Sequence, residues 1–153
     1  MLRRVFLTAA FAVAFVSAAS AATVNYTARL SGVREVPKTD SKGSGHLNAT
    51  FDTTTKVLTY TLTFQGLTGP ATAAHLHGPA PRGQNAGVLI AIGKDVTSPT
   101  SGKATLTDDQ VTDLTTGKMY VNVHTAANPN GEIRGQVVHA SKRRKAAAAT
   151  KAS

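Results

Sequence analysis

The chain has no cysteine and no tryptophan, and only 5% of its residues are aromatic. Without cysteine there is no disulfide framework, no thiol nucleophile and no thiolate metal site. A folded domain must then be held by its own hydrophobic core, and a metal ion must be taken by nitrogen or oxygen donors. Carboxylates are scarce as well, 8 against 17 Lys and Arg. Most of them fall in loop or turn sequence, and no pair stands out as the acid and base of a glycosidase. No Gly-x-Ser-x-Gly elbow marks a nucleophile, and no phosphate loop marks a nucleotide site. The apolar run 5–16, interrupted only by Thr8, falls short of the about 20 residues that cross a bilayer.

That run has another meaning. Arg3 and Arg4 precede it, and the small residues Ser17 to Ala22 follow it. Basic, apolar, small is the order of a secretory signal peptide, and Ala19-Ser20-Ala21 fits the cleavage rule. Residues 1–21 are therefore expected to be removed on export, to a bacterial periplasm or the cell exterior. At the other end, residues 141–153 carry five basic side chains, no acidic one and no large apolar one. Such a segment buries too little surface to offset the entropy of ordering, and it is expected to be a disordered, solvated tail. Its charge gives it at most weak contact with anionic surfaces.

The folded part is expected at 22–140. It holds 10 of the basic residues and all 8 acidic ones, so most of the net charge of +9 belongs to the ends. No basic face with interleaved aromatics marks specific nucleic-acid binding. Asn25-Tyr26-Thr27 and Asn48-Ala49-Thr50 match the glycosylation pattern, which has meaning only in a eukaryotic host.

Strand signals dominate this region. Leu58, Tyr60, Leu62 and Phe64 alternate with Thr59, Thr61 and Thr63, giving one core face and one water face. Further strands are predicted at 23–31, around Leu47, Ala49 and Phe51, at 71–77, 101–106, 118–124 and 132–139. The run 87–92 is continuously apolar and reads as a buried strand. Asp52 to Thr55, 78–87 and Asn128-Pro129-Asn130-Gly131 read as turns or loops. Thr107-Asp108-Asp109-Gln110 is a capping-box pattern, so a short helical turn starts there, buries Val111 and Leu114, and stops at Gly117. The sum is an all-β domain: an antiparallel sandwich or barrel of about seven to eight strands with one short helical turn.

An ordered set of motifs runs through the domain. Glu35-Val36-Pro37 is followed by Gly66-Leu67-Thr68, Ala74-His75-Leu76-His77-Gly78-Pro79-Ala80, and Leu106-Thr107 with Gln110 and Leu114. Tyr120-Val121-Asn122-Val123-His124-Thr125 and Asn128-Pro129-Asn130-Gly131-Glu132-Ile133-Arg134-Gly135-Gln136 complete it. Over residues 23–139 this resembles the CHRD domain of chordin-type and many exported bacterial proteins. One departure is Lys38, where the family often has a second proline. The resemblance implies a β-rich extracellular module. In chordin-type proteins such modules sit in antagonists of growth factors, but nothing in this sequence supplies that partner surface.

The chemistry worth weighing is imidazole. His75 and His77 are two apart in a predicted strand and so share a face. Tyr120, Asn122 and His124 share a face of another strand. If the two strands are neighbours, His75, His77 and His124 form a three-nitrogen site for copper or zinc, with a position left open. The arrangement is similar to that of copper-bearing β-sandwiches such as copper/zinc superoxide dismutases, although the spacings elsewhere do not match that enzyme's ligands. The competing reading is structural, with the histidines bonding loop carbonyls and locking turns. Glu132 and Arg134 read as a solvated or cross-strand salt bridge or as a functional acidic and basic pair near His124, with Glu132 placed to orient a ligand histidine, and Glu35 as a further carboxylate near the site. His46 and His139 match no motif and are expected at the surface or a sheet edge.

Two functions follow. The primary one is a non-catalytic extracellular or periplasmic binding or structural module, with an extracellular or envelope partner of unknown kind. The alternative is a transition-metal (copper or zinc) protein, possibly redox active, using His75, His77 and His124. Neither reading assigns a catalytic residue. Mass spectrometry of the exported chain is expected to find Ala22 at its N-terminus; retention of residues 1–21 would make the leader an anchor.

Overall fold

The computed structural model describes residues 22–141, so the expected signal peptide and nearly all of the basic tail lie outside the described residues. Nine strands form one antiparallel sheet. They are β1 (Thr23–Ser31), β2 (Ser44–Asp52), β3 (Val57–Gln65), β4 (Ala71–His77), β5 (Val88–Lys94), β6 (Thr100–Thr105), β7 (Tyr120–Thr125), β8 (Ile133–Gln136) and β9 (Val138–His139). The order across the sheet is β5-β4-β7-β8-β1-β2-β3-β6, with β9 pairing on β1. The sheet curls into a nearly closed eight-stranded barrel or sandwich, so the expected fold class holds.

Alternation explains the core. Leu47, Ala49 and Phe51 of β2 and Leu58, Tyr60 and Leu62 of β3 are buried, while the threonines between them face water. Ala28 and Leu30 of β1, Leu76 of β4, Val121 and Val123 of β7 and Ile133 of β8 join the same cluster. Each large side chain buried there contributes roughly 1.5–3 kcal/mol. The turn at Asp52 is held by its own carboxylate, which accepts from the N–H groups of Thr54 at 2.8 Å and Thr55 at 3.0 Å. Where β8 crosses β1 the backbones approach closely: a Cβ at Gly135 would lie 2.5 Å from Arg29 O, so no larger residue fits.

The helix α1 spans Asp108–Thr115. Its capping box is complete, with Gln110 N–H donating to Thr107 Oγ1 and Thr107 N–H to Gln110 Oε1. Its end is closed by Gly117 N–H to Leu114 O and Lys118 N–H to Asp113 O, the paired bonds of a glycine-terminated helix. Leu114 is buried as expected, and Val111 only partly.

Two expectations need correction. β5 is an edge strand and not a buried one; its residues are half-buried or exposed, and Val88 is 54% exposed. An apolar run shows that a strand exists, but burial depends on how many neighbours it has, and β5 has one. The last strand is broken at Val137, whose N–H turns to Met119 O, so β8 pairs with β7 and β9 with β1. His46 is half-buried on the outer face of β2, on the side of Ser44 and Asn48, where it bonds Thr27 Oγ1 at 3.0 Å. His139 is half-buried on β9 with its ring edge-on to Tyr26.

Glu132 ties the loops at one end of the barrel. Its carboxylate is fully buried and accepts from the hydroxyls of Ser41 (2.6 Å), Thr68 (2.7 Å) and Thr125 (2.6 Å), and from Thr68 N–H (2.8 Å). Burial alone would raise its pKa, but these donors outweigh it and bring the group down to about 2. A carboxyl depressed from 4.5 to about 2 adds stability that is complete above pH 4.5 and lost as the pH falls toward 2. The expected contribution is on the order of 3 kcal/mol. Urea unfolding across pH 2–6 is expected to show this loss, and Glu132→Gln to be less stable at neutral pH and flatter across the window.

Candidate metal centre on a buried polar face

β4 and β7 are neighbours, and their register sets His75 opposite Asn122, His77 opposite Tyr120 and Ala73 opposite His124. The i, i+2 rule puts Tyr120, Asn122 and His124 on the side of β7 away from the apolar core. That side is nonetheless buried, as are Arg134 and Gln136 on β8. Two loops cover it, and their carbonyls satisfy the polar groups beneath. Gln136 Nε2 donates to Ala80 O at 2.8 Å, Arg134 Nη2 to Gln84 O at 2.6 Å, and Tyr120 Oη to Ala86 O at 3.2 Å.

The three histidines converge here. Each offers a ligand atom, and these atoms all lie within 4.8 Å of one another. Three points so spaced share a centre within about 2.8 Å of each. Metal–nitrogen bonds run near 2.0–2.1 Å, so less than an ångström of movement per ring closes the site. A loop carbonyl sets the tautomer of His124. His124 Nδ1 donates to Pro129 O at 2.9 Å, whereas His77 has an oxygen at each ring nitrogen, Ala86 O at 3.0 Å from Nδ1 and Asn122 Oδ1 at 3.0 Å from Nε2, and a neutral ring donates to one of them. The Pro129 bond leaves the lone pair of His124 Nε2 to face the cluster. His124 Nε2 lies 3.0 Å from His75 Nδ1, and His77 Nε2 lies 3.0 Å from Asn122 Oδ1. Donation of one ring nitrogen to a backbone carbonyl is the usual support for a ligating histidine.

All three rings have pKa values lowered from 6.5. Burial is the main cause for each; for His75 the charges of His124 and His77 add to it, and for His124 the Pro129 bond opposes it. The rings are therefore neutral at pH 7, the state in which imidazole binds metal.

Around this cluster stand residues that sequence reasoning did not assign to it. The Tyr120 ring stacks on His77 (centroids 4.8 Å apart, planes 4° apart) and carries the Arg134 guanidinium 3.4 Å from its centroid. Asn122 was legible as a neighbour of His124 by its i, i+2 spacing, but its bond to His77 needed the register. Glu35 does come close, as expected. Its Oε1 is buried with no hydrogen-bond partner. Burial pushes its pKa up to about 7, against the opposing influence of Val36 N–H, Arg134 and Asn122.

Glu132 and Arg134 are not the pair their spacing suggested. Glu132 bonds the hydroxyls named above and Asn128 Nδ2, with no histidine among its partners. Arg134 is taken up by Asn85 Oδ1, Gln84 O and Tyr120. Glu132 precedes β8 and is drawn into the loop cluster, so the two charges serve different ends.

The fold and this face define a class: an antiparallel β-barrel domain whose outer sheet surface carries a covered imidazole cluster. Within that class the chain belongs to the CHRD domain family, whose model matches residues 26–137. No curated protein and no solved structure matches the chain. Among the described residues, no helix is long and apolar enough to cross a membrane.

Gly131 sits over the Glu35–Asn122 contact with φ +127°, and a Cβ there would meet Glu35 Oε1 and lie 2.8 Å from Asn122 Nδ2. Gly131→Ala is expected to cost about 1–3 kcal/mol in thermal or urea unfolding, from backbone strain plus this clash. An unchanged midpoint would show that the loop yields freely.

Proposed function

We propose that this CHRD-domain protein is exported and binds one transition-metal ion, copper or zinc, through His75, His77 and His124. The observation that carries the reading is the convergence of three imidazole nitrogens within 4.8 Å. Two supports accompany it. A loop carbonyl holds His124 with its Nε2 atom toward the cluster, and burial favours the neutral form of the rings. Three nitrogens leave a coordination position for water, an exchanging ligand or Asn122 Oδ1. A softer divalent ion is favoured over magnesium or calcium by this donor set, and Cu(II) is the strongest binder in the first-row series. Storage, delivery and redox chemistry are all compatible with such a site. Export rests on the order of residues 3–22 and on the extracellular character of CHRD domains.

A second reading has its own observation. Every ring already has a protein partner, Ala86 O or Asn122 Oδ1 for His77, Pro129 O for His124, and His124 for His75. Those bonds suffice for a structural role in a metal-free binding module. Calorimetric titration of residues 22–140 with Cu(II) and Zn(II) separates the two. One-to-one binding is expected, and His75→Ala/His77→Ala is expected to lower affinity by more than the roughly 10–100-fold that losing a supporting contact costs. Equal weak binding by both forms would leave the histidines as structural groups.

The pH dependence has a defined sign. Protons compete with metal only below the folded pKa values, which lie under 6.5. Affinity is expected to hold from pH 8 to 6.5 and to fall on further acidification. A decline that begins above pH 6.5 would mean that the rings are not held neutral by burial.

A further inference from the structure

Beside the histidine cluster lies a cavity of about 430 Å³ with a different character. Its floor is β8, which contributes Arg134 and Gln136, both buried. Its rim carries three more cations, Arg34, Lys38 and Arg82, all exposed. One wall is apolar, built from Val33, Val36 and Pro37, and Val33 is 65% exposed. No histidine lines it. The Tyr120 ring lies between the two sites, with His77 stacked on it and Arg134 over it on the cavity side.

Charge in this cavity is unbalanced. Four cations face one carboxyl, Glu35. Arg134 is 2% exposed, yet its hydrogen-bond partners are an amide oxygen and a backbone carbonyl, not a carboxylate. A guanidinium has five N–H donors in a fork that matches a carboxylate. Glu35 does little to offset the excess, because burial holds its pKa near neutrality. Solvated surface lysines would give a cationic rim alone. Here a buried arginine sits beneath the rim and an exposed valine beside it, and the volume is in the range of small-molecule sites.

We propose that this cavity binds a free small organic anion, a carboxylate joined to a short hydrocarbon body. The anionic group is taken by Arg34, Lys38, Arg82 and Arg134, and the hydrocarbon lies on Val33, Val36 and Pro37. The apolar wall is three residues wide, which suits one short chain better than a bilayer surface.

The test is an NMR titration of the purified chain with sodium octanoate, with 1-octanol and acetate as the neutral and body-less controls. Amide shifts are expected to cluster at residues 33–38, 82–83 and 134–136, with octanoate binding at least tenfold tighter than either control. The double variant Lys38→Glu/Arg82→Glu changes two exposed side chains and is expected to keep the wild-type melting temperature while losing tenfold or more in octanoate affinity. Shifts scattered elsewhere, equal affinity for octanol, or an unaffected double variant would overturn the proposal. Displacement of bound octanoate by phosphatidylglycerol vesicles would make a lipid the occupant and overturn the assignment to a free ligand. The histidine pair His75→Ala/His77→Ala is expected to bind octanoate normally, so the two sites stand or fall separately.

Discussion

A buried polar group must be hydrogen-bonded, and the outer face of β4, β7 and β8 puts that requirement on a whole sheet surface. Most antiparallel sheets leave such a face to water. Here Asn122, His124, Arg134 and Gln136 lie under loops, so the loops must supply acceptors at fixed places. They do so with the carbonyls of Ala80, Gln84, Ala86 and Pro129. The same bonds that make burial tolerable also fix ring orientation. The histidine cluster stands on this face and shares in those bonds through Ala86 O and Pro129 O.

Two carboxyls show how far environment decides chemistry. Glu132 accepts from three hydroxyls and a backbone amide and is held as an anion down to about pH 2. Glu35 has one oxygen without a partner and is pushed up to about 7. Both are buried, so desolvation acts on both; the count of donors separates them. Glu132 is a clasp for loops, and Glu35 is a weakly charged wall between the imidazole cluster and the cationic cavity. Proteins place such unlike titrating groups at functional surfaces more often than in plain cores. The imidazole cluster and the cationic cavity meet at Tyr120 and Arg134, which puts both on one side of the barrel.

How much of this was legible in the residues is uneven. The fold class, the strands of the first half, the capping box and its Gly117 stop were all readable, because each depends on local periodicity or local hydrogen bonding. His75 and His77 were legible as one face, and His124 as a candidate, by the period-two rule. What failed was long-range: the edge position of β5, the break at Val137 and the separate fates of Glu132 and Arg134.

By itself the sequence determined a cysteine-free all-β domain, its alternating core, its turns and its CHRD motifs, since backbone geometry ties those to residues near one another in the chain. Only the tertiary structure decided that β4 lies beside β7, that their register brings three imidazoles together, and that loops cover the face they stand on. Register between strands 45 residues apart depends on how every other strand packs, and a side chain's charge state depends on what lies above it. Neither is written in any short segment.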